Sequence, residues 1–159
     1  MPEDFFETLK SQNAGIFISF YPPMVSKMDS IRDMLNKKGV NYFITELNKI
    51  FSIKQTLNKH NQPQNAFLNC FQANCNNLYE GKIAACFLPF TTKYFNSYFD
   101  KNLPEDGAIN LYDENLTTEI LKYKLKQPFE RCCYCTNPVD INWQSIKYPS
   151  VLSDWVNEY

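Results

Sequence analysis

The sequence predicts an α+β protein made of two successive parts, and three observations carry that expectation. Residues 16–47 read strand, helix, strand; residues 78–83 read as a hairpin; and a helix from about Thr117 to Gln127 is stopped by Pro128. With 44% hydrophobic and 16% aromatic residues among 159, the chain can bury one substantial core, or a core and a small appendage. The first part is expected over 1–65 and the second over 66–159.

Pro2, Glu3 and Asp4 suit a first helical turn, so a helix is expected from there to about Asn13–Gly15. Ile16 to Phe20 is a short apolar run closed by Tyr21-Pro22-Pro23, as a buried parallel strand would be. Ser26 with Asp29 resembles a capping box; Met28, Ile31 and Leu35 share one helical face, and Gly39 stands where that helix would end. Asn41 to Leu47 supplies the returning strand, and a right-handed crossover is the default for such a unit. The aromatic residues, Trp143 and Trp155 included, are expected in the core. Residues 48–65 are amide-rich, contain Pro63 and read as an irregular connection, on which His60 is an exposed loop residue.

Charge and hydropathy exclude several partners. A formal net charge of −1, from 16 basic and 17 acidic residues spread along the chain, offers no positive field for a nucleic-acid backbone. The start Met1-Pro2-Glu3-Asp4-Phe5-Phe6 has neither the basic end nor the apolar stretch of a secretory signal, and no later run is long enough to span a bilayer. A cytoplasmic protein with no nucleic-acid or membrane partner is expected. Asp106, Asp113, Glu114 and Glu119 fall in a turn and a first helical turn, where carboxylates cap or are solvated.

The six cysteines carry the chemistry, because a reducing compartment disfavours disulfides and leaves metal ligation as the better use. Cys70, Cys75 and Cys86 lie around the hairpin, which turns at Glu80-Gly81 and brings its ends together. Cys132-Cys133-Tyr134-Cys135 follows the later helix. Two residues between Cys132 and Cys135 let both sulfurs face one metal, and converging thiolates are what zinc or an iron-sulfur cluster requires. Adjacent residues of an extended chain point to opposite sides, so Cys133 is expected to face away from a site that takes Cys132.

These residues resemble a known family. Phe67-Leu68-Asn69-Cys70, Asn74-Cys75-Asn76-Asn77-Leu78, Gly81-Lys82, Cys86, Pro89 and Phe95-Asn96 are similar to the auxiliary-cluster region of bacterial radical SAM proteins. Asp106-Gly107, Ile109, Leu111-Tyr112-Asp113, Leu116-Thr117, Pro128-Phe129, the CxYC of Cys132 to Cys135, Trp143 and Ser153-Asp154-Trp155 continue the likeness. Ten residues between Cys70 and Gly81 and four between Gly81 and Cys86 match the spacing of SPASM and twitch domains, and Phe5-Phe6 with Ile18 to Pro22 resembles later units of the radical SAM barrel. The resemblance implies about two β-α units of a partial barrel over 1–65 and a hairpin-plus-helix domain binding an auxiliary 4Fe-4S cluster over 66–159. It draws the ligands from Cys70, Cys75, Cys86, Cys132 and Cys135, with Cys70 and Cys75 competing for one place.

The family's SAM-cleaving cluster is held by CxxxCxxC, and no cysteine here precedes Cys70. The expected function is therefore the auxiliary-cluster portion of a radical SAM enzyme, serving electron transfer or substrate positioning and unable to cleave SAM alone. The expected partner is a radical SAM barrel supplying that motif, together with a substrate the sequence does not identify. The alternatives are a free-standing electron-transfer or docking module and a structural zinc domain.

Overall fold

The computed structural model describes residues 3–145 and 148–157. The chain is a mixed α+β protein with five α-helices and three small sheets among those residues. It divides into two compact units, one of residues 1–52 with 140–146 and the other of 53–139 with 147–159.

In the first unit, α1 (Glu3–Ser11) opens on the acidic pair Glu3 and Asp4, which face the positive end of the helix dipole. Strand β1 (Gly15–Ile18) follows, then a 3-10 turn over Pro22–Lys27 that leads into α2 (Met28–Lys38). The expected capping box is not formed: Ser26 lies inside the 3-10 turn, Lys27 is the N-cap, and it makes no side-chain cap bond. The C-terminus ends as the sequence predicts, with Gly39 left-handed at φ 65° and its N–H donating to the Asn36 and Leu35 carbonyls. Strand β2 (Asn41–Ile44) then pairs parallel with β1, Gly15 opposite Asn41 and Ile18 opposite Ile44.

Phe6, Leu35 and Val40 form the core of this unit, with Leu9, Ile16, Ile18, Ile31, Met34 and Tyr42 against it. One sheet face is thus covered by helices, while Phe17 and Phe43 alternate to the other and stack on each other with ring centroids 5.2 Å apart. At 67% and 60% exposure they are not the core residues expected of them. The strands are half-buried because the sheet has two strands and its second face carries no cover among the described residues. Trp143 is likewise only half-buried, stacked on Tyr21 with centroids 6.3 Å apart.

The stretch expected to be irregular holds two elements, β3 (Ile50–Gln55) and α3 (Pro63–Leu68), the latter with Pro63 in its first turn. In the second unit the hairpin forms as expected. Strands β4 (Asn77–Tyr79) and β5 (Lys82–Ala84) pair antiparallel around Glu80 and Gly81, whose φ values of 47° and 70° suit a tight primed turn. A Cβ on Gly81 would also meet the Tyr112 ring at 2.1 Å, so glycine is required there twice over.

Next comes α4 (Leu88–Phe99), then β6 (Ile109–Asn110), which adds a third strand beside β5. Helix α5 (Thr118–Lys124) is capped by Thr117, whose Oγ1 accepts from the Ile120 N–H at 3.3 Å. A 3-10 turn over Glu130–Tyr134 runs directly into β7 (Cys135–Asn142), which pairs with β3. Trp155, 44% exposed, is not in the core either; its indole N–H donates to Ser150 Oγ at 2.7 Å.

Candidate metal centre

Four of the six cysteines line one cavity inside the second unit: Cys70, Cys86, Cys132 and Cys135, together with Lys54, Phe67, Ala85, Leu88 and Phe129. Local structure explains each placement. Cys70 caps the 3-10 turn Phe71–Asn74 just past the end of α3, and Cys86 follows β5, two residues before α4 begins. Cys132 sits in the 3-10 turn Glu130–Tyr134, against which α3 packs, and Cys135 is the first residue of β7. The hairpin and the CxYC segment therefore reach the same place from different parts of the chain. Among the described residues, no group of three or more His, Cys, Asp or Glu side chains is arranged as the chain stands to hold a metal ion.

The other two cysteines lie apart. Cys75 is exposed at the end of its 3-10 turn, where its carbonyl accepts from the Asn77 side-chain amide. Cys133 is buried without lining the cavity, and its carbonyl accepts from the backbone N–H groups of His60 at 2.9 Å and Asn61 at 3.3 Å. Cys132 and Cys133 thus separate inside a 3-10 turn, where successive side chains rotate by about a third of a circle, and not in extended chain. His60 is exposed.

Asp106 and Gly107 support this place, the first by capping, one of the two roles expected of it. Asp106 accepts from the backbone N–H groups of Glu130 at 2.5 Å and Arg131 at 3.1 Å, fixing the start of the turn that carries Cys132. Gly107 follows at φ 96°, and a Cβ there would meet the Phe129 ring at 2.6 Å. Gly107→Ala should therefore cost about 2–5 kcal/mol, combining left-handed strain with the displacement of a cavity wall. Gly39→Ala has open space around its Cβ and should cost only about 1–2 kcal/mol. Urea unfolding of the two variants measures the contrast, and equal losses would mean Phe129 yields freely.

The cavity walls are largely apolar, so burial dominates the thiols. It pushes Cys86 from 9.0 up to about 11, Cys132 up to about 12, and raises Cys135 as well. Cys86 and Cys132 also feel their neighbours: an ionised Cys135 or Cys70 raises Cys86, and Cys135, Cys86 and Cys70 all raise Cys132. Such mutual influence is what proximity of four acidic groups produces. Against it stand two cations. Lys54 Nζ donates to Cys70 Sγ at 3.2 Å while lying over the Phe71 ring, and it opposes the upward shifts of Cys135 and Cys86.

Arg131 is the second cation, fully buried. Its Nη2 donates to Gln55 Oε1 at 2.7 Å and its Nε to Thr92 Oγ1 at 3.4 Å, but Nη1 is buried with no partner. Burial lowers its pKa, opposed first by Cys135 and then by Tyr134, Cys86 and Asp106. A guanidinium keeps its proton in proteins, so the group beside the thiols is a cation. Four soft sulfur donors lining an apolar cavity, with a buried guanidinium on the residue before Cys132, are a donor set that would suit zinc or an iron-sulfur cluster. Sequence patterns gave no sign of the buried guanidinium, since arginine beside cysteine reads as surface charge.

No helix among the described residues is long and apolar enough to cross a membrane. No protein-family model matches the chain, and no curated protein matches it either.

Proposed function

We propose that this chain is the auxiliary iron-sulfur portion of a radical SAM enzyme, in which Cys70, Cys86, Cys132 and Cys135 hold a 4Fe-4S cluster. The observation that carries the reading is the meeting of these four side chains, and no other cysteine, at one cavity. Four thiolates are the usual complement of such a cluster. When bound, the cluster supplies a one-electron donor or acceptor. The chain's own residues ligate it, exclude water with Phe67, Leu88 and Phe129, and balance its charge with Lys54 and Arg131. Cys75 and Cys133 take no part.

The same reading makes the parallel β1-α2-β2 unit part of a partial radical SAM barrel, supported by its parallel register and by the uncovered Phe17–Phe43 face. A barrel segment carrying CxxxCxxC is then the partner, a reducing cytoplasm is the compartment, and SAM is bound only in that partner's presence. A structural zinc site is the second reading, favoured by the same donor set, since four cysteines also suit a closed tetrahedral ion.

Anaerobic purification followed by iron, sulfide and zinc analysis tests the choice. The expected result is a brown protein with about four iron and four sulfide per chain. A colourless protein with a single zinc would establish the second reading, and a protein that takes up neither would end both.

A further inference from the structure

We infer that Arg131 and Lys54 are positioning residues that supply the counter-charge for an anionic group in the cysteine cavity and raise its reduction potential. The inference deepens the function proposed above and rests on it. Its basis is an imbalance in the second unit. Arg131 is 0% exposed, yet among the described residues no carboxylate pairs with its guanidinium, and one of its three nitrogens has no partner at all. Asp106, the carboxylate that does act on it electrostatically, makes its hydrogen bonds to backbone N–H groups and none to the guanidinium.

A buried cation with no directly paired anion is unfavourable, and a ligand or metal group can complete the pairing. The groups within electrostatic reach are Cys135, Tyr134, Cys86 and Asp106, with the Tyr134 ring 5.4 Å from the guanidinium. Neutral thiols do not compensate a cation. Thiolates bound to a metal cluster do, because four of them leave the assembly with net negative charge. Lys54 meets the same group from the Cys70 side, its ammonium 3.2 Å from that sulfur. Lys59, which also lies near this segment, is an exposed ion pair with Glu130 and plays no such part.

The inference predicts a reversal of sign between the metal-free and metal-loaded chain. Arg131→Met replaces the cation by a neutral side chain of similar length. Thr92 keeps its own bond to the Leu88 carbonyl at 2.9 Å, and Gln55, only half-buried, can turn to water, so little else is broken. The metal-free variant should melt several degrees higher than the metal-free parent, since an uncompensated charge is gone. The same variant should bind the metal ~10–100-fold more weakly, as loss of outer partners of metal ligands does. Arg131→Lys keeps the charge and should follow the parent in both forms. Lys54→Met, at a partly exposed site where misfolding is not expected, should weaken metal retention in the same direction.

The potential is the readout that a purely structural role would not move. Anaerobic redox titration of the iron-loaded chains should give a midpoint more negative for Arg131→Met and Lys54→Met than for the parent, and unchanged for Arg131→Lys. Two results separate this inference from the function beneath it. A parent chain that takes up neither iron nor zinc overturns both. A parent that loads metal normally, with Arg131→Met and Lys54→Met matching it in retention and midpoint, overturns the counter-charge alone.

Discussion

Cys86→Ser and Cys135→Ser are each expected to abolish the visible iron-sulfur absorption after anaerobic reconstitution with iron and sulfide, while Cys75→Ser and Cys133→Ser leave it nearly intact. Cys86, just after β5, and Cys135, at the start of β7, line the cavity, and a serine hydroxyl does not ionise at neutral pH to replace a lost thiolate. Cys75 is exposed and outside the cavity. Cys133, though only 8% exposed, contributes its carbonyl to His60 and Asn61 and leaves its sulfur as a small buried hydrophobe. Cys132→Ser and Cys70→Ser belong with the first pair. Visible and Mössbauer spectra on the full series check the assignment as a pattern. Loss of the cluster in Cys133→Ser with retention in Cys132→Ser would show that the CxYC register is wrong. Retention in every variant would remove these cysteines as ligands.

Local signals were readable from the sequence where the structure is itself local. Met28, Ile31, Leu35 and Gly39 marked α2 and its end, Glu80-Gly81 marked the hairpin, and Thr117 with Pro128 bracketed the region of α5. Strand β3 was invisible because its partner, β7, lies some eighty residues later, and Ile50–Gln55 shows no clean alternation on its own. The capping box failed for a related reason: Pro22 and Pro23 fold the preceding chain into a 3-10 turn that takes Ser26 with it. Core membership was overestimated for Phe17 and Phe43, since hydrophobicity says what burial would gain and not whether a second layer exists to provide it.

The site divides in the same way. The two cysteine groups could be read from spacing, but the choice of Cys70 over Cys75 for the cavity could not, and Cys133 parts from Cys132 through a 3-10 turn and not through the extended chain expected of it. That choice depends on the 3-10 turn Phe71–Asn74, which leaves Cys70 inside and carries Cys75 to the surface. The target of the Asp106 cap and the burial of Arg131 were likewise hidden. Asp106 acts through backbone amides more than twenty positions away, and Arg131 is a charge placed where charges are rare.

Removing the metal should loosen the second unit and leave the first unchanged. Ligation by Cys70, Cys86, Cys132 and Cys135 would tie α3, the hairpin and the CxYC turn together, with α4, β6 and α5 in the loop between Cys86 and Cys132. Closing such loops with metal bonds contributes folding free energy that the metal-free chain lacks, about 10–16 kcal/mol in small structural metal sites. The first unit has its own core of Phe6, Leu35 and Val40 and contains no cysteine. Hydrogen exchange on loaded and chelated protein should therefore show amides in Pro63–Leu68, Asn77–Ala84 and Glu130–Tyr134 losing protection, with α1, β1, α2 and β2 unaffected. The stabilisation should also grow as pH rises from about 6 to 8. Burial holds Cys86 and Cys132 protonated until about 11 and about 12, so loading must release their protons and is favoured when protons are scarce. The metal-free chain has the opposite slope at high pH. Cys86 and Cys132 ionise near 9.0 when unfolded but not when folded, so its stability falls from there upward. Exchange profiles that coincide with and without metal would mean the cavity folds on apolar packing alone, and a loading affinity independent of pH would mean no thiol proton is displaced.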